Sequence, residues 1–374
     1  MEFNGKKVLI VATTDNMIWQ FLIPHIKHLE SLGAKVECVC SKTGFWFDEL
    51  KDKFGFVMHE IPFERSPFKL KNIKCYKQLK KLQKENQYDL IYCQQPVGEF
   101  MGALLGRKFH IPVINTAHGF HFFKGCSLKN KILIKTAETW MSRFETALIT
   151  INDEDFEAAK KMHAKHVYKI NGIGFDENKY EPTKETKSEI RKSLGVADTD
   201  FVVCTVAEFI KRKNYPTLLN AIAEAKKTNK NIKLLVCGRG KLEQEIKALI
   251  NKLNIQDNVL LLGYRKDINR VLLASDVFTI ASIHEGLTLS VIEAMSFGLP
   301  CVVSNVRGNK DLIDEGKGGF CVSTFDHVAF ANKIKYFIEN PEQLNKMGNY
   351  NKVQSKKYTL DAVKKELEKI YKEI

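Results

Sequence analysis

The stretch Ser282-Ile-His-Glu285-Gly286-Leu-Thr-Leu-Ser290-Val-Ile-Glu293-Ala-Met-Ser-Phe-Gly298-Leu-Pro300 sets two carboxylates eight positions apart across a loop-to-helix junction. The residues before it, 276–281, form the apolar run Asp-Val-Phe-Thr-Ile-Ala and read as a short buried strand. Residues 290–297 read as a short helix that Gly298-Leu-Pro300 stops. Glu285 therefore belongs to the loop and Glu293 to the helix. With Ser290 near the helix start, the N–H groups of Thr288, Leu289 and Ser290 point out of the helix end, where unpaired donors and the positive dipole attract a phosphate. Two carboxylates beside it can accept hydrogen bonds from sugar hydroxyls. A bare pair of glutamates would read as a solvated face, and it is the strand, glycine and proline around this pair that argue for a site.

Outward from this stretch, apolar runs alternate with segments of helical period. Strands are expected at 7–12, 35–40, 56–61, 90–93, 113–116, 147–151 and 167–170, with helices at 19–32, 70–84, 97–109, 129–144 and 154–163. The alternation breaks at Asn171-Gly-Ile-Gly174-Phe-Asp-Glu-Asn-Lys-Tyr-Glu-Pro182, a stretch that suits a linker. It then restarts, with strands at 201–206, 233–237, 259–262, 277–280, 301–303 and 319–322 and helices at 215–226, 242–253 and 290–297. Helical segments at 327–339, 342–356 and 360–373 close the chain. This α/β pattern predicts two doubly wound parallel sheets in series, over residues 1–178 and 179–356, followed by a helical tail at 357–374. Ligands of such sheets collect where the carboxyl ends of strands leave a crevice.

The Ser282–Pro300 stretch resembles the E-x7-E signature of family 4 glycosyltransferases of the GT-B fold, with Glu285, Gly286, Glu293, Ala294, Gly298 and Pro300 all matching. The resemblance spans nearly the whole chain and implies an acceptor-binding first domain and a donor-binding second domain, both Rossmann-like, facing across a cleft. The final helix would pack back on the first domain. It further implies that Glu285 contacts hydroxyls of the transferred sugar, that Glu293 binds the nucleotide ribose, and that the backbone of Gly286, Leu287, Thr288, Leu289 and Ser290 holds the diphosphate.

Other loops after expected strands supply further candidates. Ala207-Glu208-Phe-Ile-Lys211-Arg212-Lys213-Asn214 brings cations that could neutralise a departing diphosphate. Lys213 matches the family's lysine, whereas Glu208 stands where the family has arginine, which leaves Lys211 or Arg212 to replace it. Ala117-His118-Gly119-Phe120-His121 follows the strand at 113–116. The family places a site histidine there, so His118 is the catalytic candidate and His121 a second, acceptor-side contact. Gly263-Tyr264-Arg265 resembles the loop that frames the donor base. Thr14 and Asp15 stand where many relatives carry paired glycines, and they can contact the acceptor or cap a helix. Gly238-Arg239-Gly240 lacks the third glycine of a dinucleotide fingerprint and reads as a turn, so no NAD is expected.

The 374-residue chain carries a net charge of +14 and nine singly scattered cysteines, without a C-x-x-C pair or a long apolar window. This composition predicts reduced thiols in a cytoplasmic protein that has neither signal segment nor membrane span. Its densest positive segment is Arg65, Lys69, Lys71, Lys74, Lys77, Lys80, Lys81 and Lys84, interleaved with Leu70, Ile73, Tyr76, Leu79 and Leu82 at every third position. A solvated helix and an anionic-membrane surface are the leading readings, and nucleic acid ranks last because no nucleic-acid-binding motif accompanies the charge.

The triplets Asp153-Glu-Asp155 and Asp198-Thr-Asp200 open a helix and precede a strand. They read as caps and loop residues, so neither a metal nor another cofactor is expected. Together these features predict a retaining transfer from a UDP-sugar to a polyprenyl-diphosphate-linked saccharide, on the inner face of the membrane, in surface-polysaccharide assembly. A GT-B-like UDP-sugar epimerase and a non-enzymatic nucleic-acid binder are the alternatives.

Overall fold

The computed structural model describes residues 2–44, 46–64, 69–122, 128–180 and 182–374. The first seven strands are β1 (Lys7–Thr14), β2 (Lys35–Ser41), β3 (Val57–Glu60), β4 (Leu90–Gln94), β5 (Val113–Ala117), β6 (Ala147–Thr150) and β7 (His166–Lys169). They form one parallel sheet in the order β3-β2-β1-β4-β5-β6-β7. The next six are β8 (Phe201–Val206), β9 (Ile232–Cys237), β10 (Val259–Gly263), β11 (Val277–Ile280), β12 (Cys301–Ser304) and β13 (Gly319–Val322). They form a second parallel sheet in the order β10-β9-β8-β11-β12-β13. Each order reverses direction once, at β1/β4 and at β8/β11, which is the doubly wound Rossmann arrangement with its ligand crevice at that reversal. Central strands such as β4 and β12 are buried along their whole length, as helices on both faces of a parallel sheet require.

Two compact units result. One runs to Gly174 and takes in Leu360–Ile374, and the other is Phe175–Thr359. These switch points fall at 174/175 and 359/360, where the sequence pattern suggested 178/179 and 356/357. Within the first unit, the terminal helix Leu360–Glu373 sets Tyr371 edge-on to Phe3, with ring centroids 5.1 Å apart. Its Glu366 accepts from the Asn171 amide at 2.9 Å. Gly174 at the boundary has φ +85°, and a Cβ there would stand 2.9 Å from the Leu360 Cα, so the position needs glycine on both counts.

The basic helix spans Lys71–Asn86, and Arg65 of that segment lies outside the described residues. Its core-facing row is Asn72, Cys75, Leu79 and Gln83, whereas Leu70 is 81% and Ile73 56% exposed. The reason is geometric: at 3.6 residues per turn, each step of three falls about 60° short of a full turn, so a three-residue repeat winds off the buried face. Helix Trp46–Phe54 and the shorter Lys187–Ser193, Ile268–Ala274 and Asn309–Leu312 were not anticipated. The second of these carries a legible start signal, Thr186-Lys-Ser-Glu189, which forms a capping box. Among the described residues no helix is long and apolar enough to cross a membrane.

Candidate functional site

Strands β8 and β11 lie side by side at the reversal of the second sheet, paired through Val277↔Val203 and Phe278↔Cys204. Past these pairs each strand leaves the sheet into a loop. The loop after β8 makes a 3-10 turn at Lys211–Lys213, which Asn214 ends in the left-handed conformation with φ 50°. The loop after β11 carries Glu285. The two are stitched together by the Ile283 amide donating to the Arg212 carbonyl at 2.8 Å.

Glu285 is buried and accepts from both cations: Lys213 Nζ reaches Oε1 at 2.7 Å and Arg212 Nη1 reaches Oε2 at 2.5 Å. Burial pushes the Glu285 carboxyl up, but Lys213 and Arg212 more than reverse this and hold it below the usual carboxylate range. Burial also pulls the Lys213 ammonium down, further than Glu285 raises it, and Arg212 adds to the lowering. The ionised carboxylate is the reading that fits two short contacts from two cations. Glu208 is exposed at the start of the same loop. Arg212 is the second cation beside Lys213 on Glu285, and Lys211 is exposed.

Helix Leu289–Ser296 begins after Thr288, whose backbone is extended and whose hydroxyl makes no capping bond. Instead it donates to Asn309 Oδ1 at 2.5 Å. Asn309 Nδ2 in turn donates to Ser304 Oγ at 3.1 Å, and Ser304 Oγ donates to the Ser282 carbonyl at 2.6 Å. Arg307 Nε donates to the Glu285 carbonyl at 2.9 Å. All of these polar residues are buried. Gly308 has φ +82°, and a Cβ there would lie 2.5 Å from the Gly286 carbonyl oxygen, so the two loops touch backbone to backbone. The segment after β12 thus holds the whole Ser282–Thr288 loop from behind and leaves Gly286, Leu287, Leu289 and Ser290 half-buried at the helix's amino end. Ser304, Arg307 and Asn309 were missed in the sequence. Their one signal is that they stand at or just after the carboxyl end of β12, the neighbour of β11 in the sheet.

Glu293, one turn into that helix, is buried with Oε1 accepting from Lys179 Nζ at 3.0 Å and from the Tyr180 hydroxyl at 2.9 Å. Burial and the Glu293 charge together push the Tyr180 phenol well above its ordinary value, so it stays a donor. The loop after β10 exposes Tyr264, with the Arg239 guanidinium 4.8 Å from its ring centroid. Gly263 has φ +67°. Arg265 is held within its own loop by Asp267, at 2.9 and 2.5 Å. A Cβ on Gly238 would sit 2.0 Å from the Ala207 carbonyl oxygen, which accounts for that glycine as a close backbone approach.

In the first unit, His118 follows β5 and its Nε2 lies 2.6 Å from Gln94 Oε1 at the end of neighbouring β4. An amide oxygen only accepts, so in this arrangement Nε2 carries the proton and Nδ1 is left as an acceptor. Burial, aided by His25, lowers the His118 imidazole to about 4. His121 is exposed. Asp15 is fully buried and serves Thr43, accepting from its hydroxyl and, at 3.1 Å, from its amide. Thr14 occupies the N-cap position of the short helix Asp15–Met17 without a side-chain cap bond. In the aspartate triplets, Asp155 accepts from the Phe120 amide at 3.1 Å and from Asn152, and Asp153 pairs with Lys169. Asp198 accepts from Ser188, and Asp200 from the Ala197 amide.

Two family profiles divide the chain as the two sheets do: "Glycosyl transferase 4-like" matches residues 7–152 and "Glycosyl transferases group 1" matches 186–354. The glycosyltransferase-family protein EpsD of Bacillus subtilis is 32% identical over 98% of this chain and 96% of its own. The UDP-Gal:alpha-D-GlcNAc-diphosphoundecaprenol alpha-1,3-galactosyltransferase of Escherichia coli is 30% identical over 80% and 79%. HepE of Anabaena, solved with UDP and glucose, superposes with a TM-score of 0.82 at 19% identity, over 99% of this chain and all of that one. The two parallel sheets and the two profiles define a GT-B protein. The chain belongs to the glycosyltransferases of the family 4 type.

Proposed function

We propose that this glycosyltransferase moves a hexose or N-acetylhexosamine from a UDP-sugar to a polyprenyl-diphosphate-linked saccharide, with retention at the anomeric carbon, in surface-polysaccharide synthesis. The observation that carries this reading is the grouping of Arg212 and Lys213 on Glu285 beside the amino end of helix Leu289–Ser296, with Glu293 one turn further on. The helix end and the two cations offer a diphosphate fixed positive charge that counts more as the leaving group gains charge. A carboxylate has about four lone-pair sites, so Glu285 can accept from a sugar hydroxyl while holding both cations. The leaving diphosphate oxygen takes the proton of the attacking acceptor hydroxyl on the same face, and no protein nucleophile is required. The name of the Escherichia coli relative, with its UDP-sugar and lipid diphosphate, supports the choice of substrates. An anomeric NMR assignment showing an inverted product would refute retention.

Donor binding is proposed to be metal-independent. Arg212, Lys213 and the helix amides supply the positive charge, and both aspartate triplets are engaged in hydrogen bonds or ion pairs of their own. Calorimetric titration of UDP and GDP with EDTA present tests the site. Saturable UDP binding that Glu293→Ala weakens at least tenfold is expected, and no binding of either nucleotide would overturn the reading.

The protein is further proposed to rest on the inner face of an anionic membrane. Exposed Lys71, Lys74, Lys77, Lys81 and Lys84 line the helix Lys71–Asn86, with exposed Lys69 and Leu70 just before it and exposed Ile73 in its first turn. Such a surface gives reversible, salt-sensitive binding. Vesicles with about a third anionic lipid should retain the wild type at low salt and lose a Lys74→Glu/Lys77→Glu/Lys81→Glu variant; wild type that stays in solution would refute it.

A further inference from the structure

Glu293 is held by a segment that neither the Glu-x7-Glu stretch nor the loops around it contain. Lys179 and Tyr180 lie four and five positions after Phe175, where the chain enters its second unit. Both donate to the same carboxylate oxygen, Oε1, at 3.0 and 2.9 Å. Each is fixed from another side. The Tyr180 ring stands edge-on to Phe297, with centroids 6.0 Å apart, directly after the helix that carries Glu293. The Lys179 ammonium lies 5.0 Å from the Tyr180 ring centroid. Tyr180 is half-buried, whereas Lys179 is half exposed to solvent.

The two donors therefore differ in what they can do. A phenol anchored by an aromatic contact and facing a buried carboxylate keeps one geometry, and its single O–H has one direction to point. An exposed ammonium on a flexible stem screens charge and can exchange partners. With Oε1 occupied by both, Oε2 is the oxygen left to a ligand. Two hydroxyls on neighbouring carbons are the group that an oriented carboxylate takes best, because a fixed oxygen can accept from both at once.

We propose that Tyr180 is a positioning residue for nucleotide recognition: its hydroxyl locks the Glu293 carboxylate so that Oε2 faces the ribose diol of the donor, while the half-exposed Lys179 contributes charge without fixing direction. This rests on the reading of Glu293 as the ribose ligand. It makes the first residues of the second unit part of the nucleotide site, although they lie more than a hundred positions from Glu293 in the sequence.

The experiment is a calorimetric cycle in which UDP and 2′-deoxy-UDP are each titrated into wild type, Tyr180→Phe, Glu293→Ala and the double variant. In wild type, losing the 2′-hydroxyl should weaken binding roughly tenfold, the value of one hydrogen bond to a charged group. Tyr180→Phe keeps the ring and its contact with Phe297, so folding is spared. It should weaken UDP roughly tenfold, bring UDP and 2′-deoxy-UDP to within about twofold of each other, and have no effect once Glu293 is alanine. Equal weakening of both ligands by Tyr180→Phe, or a further loss in the Glu293→Ala background, would overturn the positioning role and leave the ribose reading standing. Unweakened UDP binding in Glu293→Ala would overturn the ribose reading itself. Lys179→Met should weaken both ligands alike while preserving the discrimination between them, and lost discrimination there would move the positioning role to Lys179.

Discussion

Replacing Glu285 by glutamine keeps the side chain's shape and removes its charge, which isolates the contribution of the buried ion triple. The wild-type carboxylate takes one charge-assisted bond on each oxygen, with Lys213 at 11% side-chain exposure on one and Arg212 at 32% on the other. Each such bond contributes about 1.5–3 kcal/mol when its partner is charged, less where water reaches it, so the Lys213 bond carries most of the effect. Glu285→Gln also leaves two cations facing each other without their anion, and removing one member of a buried pair costs about 3–5 kcal/mol. An expected loss of about 3 kcal/mol in the second unit follows.

Lys213→Met should cost somewhat less, because Arg212 still neutralises the carboxylate. The double variant should recover about 2 kcal/mol relative to the sum of the two single changes. Hydrogen exchange of peptides from β8 and β11 reads this directly. It is better suited than tryptophan fluorescence, since Trp19, Trp46 and Trp140 all lie in the first unit. The folded Glu285 is held below the ordinary glutamate value, so its stabilisation is present above the unfolded value and is lost as pH falls through the folded one. The coupling should therefore be full at pH 7 and fade on acidification. Strict additivity at pH 7, with coupling under about 0.5 kcal/mol, would mean that the triple does not form in solution and would refute the reasoning.

Three further outcomes are expected. Gly308→Ala must place a Cβ 2.5 Å from the Gly286 carbonyl oxygen at φ +82°, so it should destabilise the second unit by about 1–3 kcal/mol and weaken UDP binding; unchanged melting and binding would refute the backbone contact. His118, lowered to about 4 by burial and His25, should stay neutral with its proton on Nε2 from pH 8 to pH 5 in nitrogen-detected NMR, and a titration near 6.5 would refute its pairing with Gln94. Glu99 is raised to about 7, chiefly by burial, so the stabilisation from its neutral form is full below the unfolded value near 4.5 and lost as pH rises through about 7. Glu99→Gln should therefore be more favourable to the first unit at pH 8 than at pH 5, by up to about 3 kcal/mol, as read by urea unfolding; a difference independent of pH would refute it.

Strand positions were legible because a strand covered on both faces must be apolar throughout, and such runs stand out in the chain. β11 at Val277–Ile280 and β13 at Gly319–Val322 fall where the pattern put them. The helix carrying Glu293 was legible for a related reason, since Gly298 and Pro300 punctuate its end. The basic helix was legible in extent and misleading in orientation, because Leu70 and Ile73 share a repeat with Leu79 without sharing its face.

The sequence by itself determined the kinds of element, their order, and the loop-and-helix segment on which Glu285 and Glu293 stand, since these depend on local periodicity, caps and turn residues. Tertiary structure alone decided which groups meet those carboxylates. Lys213 and Arg212 reach Glu285 because β8 and β11 are neighbours at the reversal of the sheet, although they stand 72 and 73 positions from it in the chain. Asn309 and Arg307 support the loop between by the neighbouring placement of β11 and β12, and Tyr180 and Lys179 reach Glu293 from the segment that opens the second unit, more than a hundred positions away. A carboxylate's partners are set by the folding of distant segments onto one sheet edge, and no periodicity along the chain encodes that proximity.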